Sequence, residues 1–152
     1  MKKFNFSLQK LLSYKEQMFE TERNILAEMN AVLTRLQGEL ADMQSEHMLR
    51  VNELNGKAAA GMLPAEMQTH KYYLVVLDED ILKKIEQIEL QQQAIDKQMD
   101  VVREAKMEIG AIEKLREKKL DEYNYLAMKS EEQFIDEFVT NQRAGSSEHQ
   151  AF

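Results

Sequence analysis

Apolar residues recur along this chain in one long rhythm. A first column returns every seven residues: Leu12, Phe19, Leu26, Leu33, Leu40, His47 and Leu54. A second lies four residues before each: Leu8, Lys15, Glu22, Met29, Leu36, Met43 and Arg50. Alternating steps of four and three put both columns on one helix face and define a coiled-coil seam of period 3.5. The first column is apolar at every position but His47, whereas the second is interrupted by Lys15, Glu22 and Arg50. Where it weakens, Leu11, Met18, Ile25 and Val32 widen the stripe on its other flank. Phe6-Ser7-Leu8 opens this helix, with Ser7 placed to cap free N–H groups and Phe6 and Leu11 at hydrophobic-staple spacing.

The rhythm breaks once, over Asn55 to Pro64, which holds Gly56, Gly61 and the single proline. Glycine at a helix C-terminus and proline at the first position of the next are stop and start chemistry. Leu63 stands where a Ser or Thr cap is expected, while Glu66 falls in the first turn, where the helix dipole favours a negative charge. The period then restarts through Leu74, Ile81, Ile88, Ile95, Val102 and Ile109, with a poorer partner column of Leu77, Lys84, Gln91, Gln98, Ala105 and Ile112. Past Ile112 the seam is mixed, and from Ala144 no pattern remains.

The pattern predicts an all-α fold, an antiparallel two-helix coiled-coil hairpin with an overhanging longer C-terminal helix. It forms one domain over residues 1–143, with a helix over about 7–55, a hinge at 56–63, a helix over about 64–142, and a disordered tail at 144–152. At 1.5 Å per residue the helices span roughly 75 Å and roughly 120 Å, so folding back pairs residues whose numbers add to about 121. Leu12 then lies near Ile109, Leu26 near Ile95, Leu33 near Ile88 and Leu40 near Ile81. About 30 residues of the second helix remain unopposed, carrying Leu115, Leu120, Tyr123, Leu126, Phe134 and Phe138. Exposed apolar surface on an overhang is a partner-binding signal, unless a bend folds it back.

Composition narrows the function classes. With five Gly, one Pro, no Cys and no Trp in 152 residues, turn-rich β architectures, disulfide scaffolds and thiolate chemistry are excluded. No stretch reaches the ~18–20 apolar residues of a membrane span, and no apolar segment follows Lys2 and Lys3 to make a secretory signal. The net charge of -7 falls entirely after Leu63, since the part before it has eight basic and eight acidic residues. An acidic chain is a poor nucleic-acid ligand. Lys114, Arg116, Lys118 and Lys119, interleaved with Glu113 and Glu117, read as a solvated helix face.

Nothing in the sequence assembles an active site. His47, His70 and His149 lack the Glu-x-x-His spacing of di-metal sites, and phosphate loops and nucleophile motifs are missing. The expectation is a non-enzyme with no catalytic, cofactor or metal site. Several of the ten methionines suit seam filling. Tyr72 and Tyr73 point about 100° apart, so at least one presents an aromatic surface near the hinge, with His47 and Arg50 on the facing helix.

The opening Lys3-Phe4-x-Phe6-x-Leu8-x-x-Leu11-Leu12-x-x-Lys15-Glu16 resembles the start of the bacterial flagellar FliJ proteins. Glu113-Lys114-Leu115-x-Glu117-Lys118-Lys119 and Asp136-Glu137 are similar to that family too, so the likeness runs from about Lys3 to Gln142. The resemblance implies a component of the flagellar type III export apparatus, serving bacterial motility. It implies a cytoplasmic location, peripherally associated with the cell membrane at the flagellar base. It implies a stalk-like hairpin whose partners are the hexameric export ATPase ring, the membrane export-gate protein and the substrate chaperones it escorts.

On that resemblance Phe4, Phe6, Leu11, Lys15, Leu115 and Lys118 are expected at the ATPase end. Met43, Arg50, Tyr73 and Leu77 are expected at the gate end. The chain is expected to be a monomer in isolation. Two alternatives stay open from the sequence: a passive dimeric coiled-coil scaffold, and the equivalent stalk of a virulence type III secretion system.

Overall fold

The computed structural model describes residues 2–149. Two helices account for nearly all of them, α1 from Gln9–Ala60 and α2 from Pro64–His149, and no strand occurs among the described residues. The chain is all-α, as its periodicity predicts.

The break is narrower than expected. Rather than stopping near Asn55, α1 runs through Gly56 and Ala58-Ala59-Ala60, because three of the best helix formers outweigh one glycine. Reversal is concentrated at Gly61, whose φ of 105° is the only positive value among the described residues. Its N–H closes a turn on the Ala58 carbonyl at 3.3 Å. Pro64 then starts α2, with Glu66 in its first turn. Leu63 supplies only its carbonyl, which accepts from Met67 N–H at 3.1 Å, while its side chain stays exposed.

Two compact units divide the chain. The turn unit spans Phe19–Glu104, and the terminal unit joins the residues up to Met18 with those from Ala105 onward. Within the turn unit the helices run antiparallel in the predicted register to within a few residues, Glu22 opposite Gln98 and Met29 opposite Gln91. Leu36, Leu54, Leu77 and Ile95 are its buried apolar residues. The weak seam column is satisfied by hydrogen bonds between the helices. Gln91 Nε2 donates to the Met29 carbonyl at 3.0 Å, Gln98 Nε2 to the Glu22 carbonyl at 3.0 Å, and Lys84 Nζ pairs with Glu39 at 2.7 Å. A partly buried polar side chain is tolerated when it is paired in this way.

In the terminal unit, Phe6, Leu12 and Ile109 are buried. The start of the chain departs from expectation. Ser7 makes no capping bond; the Phe6 carbonyl accepts from Gln9 N–H at 3.1 Å and the Leu8 carbonyl from Leu12 N–H at 2.9 Å. Phe6 is buried while Leu11 remains 41% exposed. Residues 2–6 do not end the pairing; as an irregular strap they continue along α2 as far as Tyr123. The bare part of α2 is therefore shorter than the overhang predicted. α2 is unbroken through it, so the overhang does not fold back. The patternless tail from Ala144 is helical to His149, and residues 150–152 lie outside the described residues.

Candidate functional site

Each unit builds one exposed cluster in which an aromatic ring meets a guanidinium. In the turn unit the cluster sits on the last turns of α1 and the first of α2. Tyr73 reaches across and donates its hydroxyl to Glu46 Oε1, and the Arg50 guanidinium lies 4.9 Å from the Tyr73 ring centroid. Arg50 also faces Glu46 at 3.9 Å and Glu53 at 3.8 Å, and Glu53 pairs with Lys57 at 3.2 Å. Beside them His47 Nε2 lies 2.8 Å from Asp78 Oδ1.

These contacts have electrostatic consequences. The hydrogen bond to Glu46 holds the Tyr73 phenol above its ordinary pKa, since an acceptor carboxylate favours the protonated ring. The Lys57 hydrogen bond holds Glu53 below the usual carboxylate range, and Arg50 adds to it. Tyr73 is 41% exposed and neighbouring Tyr72 is 72% exposed, with Leu49, Val75 and Val76 also open to solvent. On the other flank a groove of about 370 Å³ is lined by His47, Met48, Val51, Asp78 and Ile81, among others.

In the terminal unit the strap carries the ring. Phe4 stacks at a tilt of 56° on Tyr123, centroids 5.5 Å apart, and the Arg116 guanidinium lies 5.7 Å from the Phe4 centroid. The Tyr123 hydroxyl donates to the Lys2 carbonyl and anchors the strap to α2. Further along, Lys15 Nζ meets Glu108 at 2.8 Å, and this hydrogen bond holds the ammonium above its ordinary pKa. A groove of about 430 Å³ opens between the strap and Lys119, Glu122, Tyr123 and Leu126.

Of the residues picked out from the sequence, Arg50 and Tyr73 meet in one cluster, with Met43 half-buried on the same helix as Arg50. Leu77, 7% exposed, belongs to the buried core of the turn unit rather than to its surface. Phe4, Leu11, Leu115 and Lys118 are accessible, and Lys15 is held by Glu108. Phe6, 7% exposed, is a buried anchor of the strap rather than a surface.

Sequence reasoning missed Glu46, Asp78 and Tyr123 as structural partners, and it placed Arg116 on a solvated face. Arg116 and Tyr123 carried a usable signal: they stand seven and fourteen residues after Ile109, on the same seam column. Among the described residues no three His, Asp or Glu side chains are grouped to hold a metal, and no helix is long and apolar enough to cross a membrane.

With that geometry in place, comparison with known families is decisive over almost the whole length. The sequence model described as Flagellar FliJ protein matches residues 4–148. The chain belongs to the flagellar FliJ family. Membership makes it a flagellar export component, and both aromatic–guanidinium clusters lie inside the matched span. No curated protein and no solved structure matches it.

Proposed function

We propose that this chain is a non-enzymatic adaptor of the flagellar type III export apparatus, engaging the hexameric export ATPase through its terminal unit and the membrane export gate through its turn unit. In this reading it also escorts substrate chaperones. It works in the cytoplasm, held at the membrane of the flagellar base by its partners. The family match over residues 4–148 carries the proposal. The two clusters support it, because each presents an aromatic and an arginine, the residue types that dominate binding hot spots. Sitting in different units, they suit two different partners.

The contacts assigned to the ATPase are Phe4, Leu11, Leu115 and Lys118, with Phe6 and Lys15 fixing the strap and α1 beneath them. Those assigned to the gate are Arg50 and Tyr73, with Met43 and Leu77 as their support. Two variants test the division. Phe4→Ala with Lys118→Glu should lower stimulation of the export ATPase and leave gate binding intact. Arg50→Ala with Tyr73→Ala should do the reverse, with unchanged helical content by circular dichroism. Stimulation untouched by the first pair, or gate binding untouched by the second, refutes that assignment.

A further inference from the structure

The sequence reading expects a lone chain outside the complex, but one stripe of the terminal unit points elsewhere. Leu115, Lys119, Glu122 and Leu126 follow one another at steps of four, three and four on α2, so all four share one helix face. All are exposed: Leu115 by 37%, Leu126 by 57%, and the Lys119 and Glu122 side chains by about half.

Order along the stripe is apolar, basic, acidic, apolar, which is complementary to itself when reversed. An antiparallel second copy, related by a two-fold axis between Leu120 and Asp121, sets Leu115 against Leu126 and Lys119 against Glu122. Symmetry then repeats both contacts. The surrounding charge changes sign at the same place. Residues 2–18 with 105–120 carry nine basic and four acidic side chains, while 121–146 carry six acidic and two basic. Within the chain Lys15 pairs with Glu108 at 2.8 Å and Lys119 with Glu122 at 3.5 Å, the latter an exposed pair that a second copy can exchange for the same contact between chains. Among the described residues Lys106, Lys114, Lys118, Asp121, Glu131 and Asp136 make no ion pair, so both fields are only partly compensated. The rest of the acidic part does not fold back onto the basic part, because α2 runs unbroken with no Gly or Pro between Gly110 and Gly145.

We propose that the Leu115–Lys119–Glu122–Leu126 stripe is a self-recognition surface, on which a second copy of this chain docks antiparallel. Overlap of residues 105–136 gives a contact of about 50 Å by about 10 Å, or about 1,000 Å² counting both copies. That lies at the lower edge of specific interfaces and describes a weak, reversible dimer. Apolar contact supplies the affinity, and charge sets the direction of pairing. Leu115 is also among the proposed ATPase contacts, so self-pairing and ATPase docking exclude each other. The self-pairing stands without that assignment.

Sedimentation equilibrium of the full chain at up to about 100 μM tests it. At about 0.1 M salt the wild type should show a reversible dimer, weakened at about 1 M, where the Debye length is about 3 Å. Lys119→Glu and Glu122→Lys should each raise the dissociation constant about tenfold or more, since each puts like charges together at two contacts. An equimolar mixture of the two variants should dimerise again, and so should the double variant K119E/E122K. Circular dichroism reports any loss of helix, and the mixture and double variant control for it. A wild type monomeric throughout overturns the proposal, as does a dimer indifferent to both reversals. Single variants that stay apart when mixed, while each remains helical, overturn the antiparallel pairing.

Discussion

The same substitution, glycine to alanine, should have opposite effects at two positions five residues apart. At Gly61 the backbone holds φ at 105°, a region an L side chain enters only at a cost of about 1–2 kcal/mol. A Cβ built there meets nothing within 4 Å, so no packing clash adds to that cost. The loss of unfolded-state freedom, worth about 0.4–1 kcal/mol in alanine's favour elsewhere, does not reverse the sign where φ is positive. Gly61→Ala should therefore destabilise by about 1–2 kcal/mol. Gly56 lies inside α1 with open space around its Cα. There alanine should stabilise by about 0.5–1 kcal/mol.

Urea unfolding followed by circular dichroism separates the two, provided the slope m is unchanged. For a chain of this size the expected gap corresponds to melting temperatures about 3–12 °C apart. The pair also distinguishes two hinges. If the chain turned at Gly56, as periodicity suggests, the signs at the two positions would be exchanged. A destabilising Gly56→Ala with a neutral or stabilising Gly61→Ala would refute an α1 that extends to Ala60.

Three further outcomes follow from packing and charge. Ile95, 2% exposed, should cost about 2–5 kcal/mol as alanine, whereas Leu90, 59% exposed on the same helix, should change stability by about 0.5 kcal/mol or less in urea titrations. Glu39 and Glu53 have lowered pKa values in the folded chain, through the hydrogen bonds from Lys84 and Lys57. Their stabilisation is complete above the ordinary value of 4.5 and is lost as pH falls through the lower folded values, so the urea midpoint should drop there, and less so in Lys84→Met. Tyr123→Phe removes the hydroxyl that holds the Lys2 carbonyl while keeping the ring against Phe4, so amide exchange of residues 3–6 should accelerate with no change in the turn unit.

How much of this was legible depended on whether a feature repeats. The seven-residue columns fixed the two helices and their register, because every turn restates the same face. The weak column was visible as Lys84, Gln91 and Gln98, but periodicity does not say where a long polar side chain goes. Two of these reach carbonyls of the opposite helix and the third a carboxylate. The strap had no period at all, since five non-helical residues are too few to make one. Its contact with Tyr123 joins residues 121 apart in sequence. The hinge was placed too early because Asn55-Gly56 has the composition of a stop. Only the backbone distinguishes a glycine that carries a positive φ from one that sits in a helix. Of the candidate site residues, Arg50 and Tyr73 emerge from spacing across the hinge, while Glu46, which holds both, stands among many exposed carboxylates.

Burial in this chain argues for partners more strongly than any single motif. Seven apolar side chains are buried among the described residues, against 25 large ones left exposed. Scattered exposure is ordinary on a two-helix fold, where each helix has only one covered side. Here, however, the exposed residues gather. Tyr72, Tyr73, Val75 and Val76 form one run in the turn unit, with Leu49 on α1. Tyr125, Leu126, Met128, Phe134, Ile135, Phe138 and Val139 form another in the terminal unit. Apart from the bond from Tyr73 to Glu46, neither run pairs the seam, whose polar positions Lys84, Gln91 and Gln98 are met by other residues across the helices. Large aromatics kept in water without a structural task are a standing aggregation hazard. The rims carry charges at both runs, Arg50 and Glu53 at one and Asp136 and Glu137 at the other. On the proposed function, such rims would keep the apolar surface soluble and steer encounter, with affinity from the rings and choice of partner from the charges. On that reading, a chain that keeps most of its aromatics outside its own core would be completed by its export-apparatus partners.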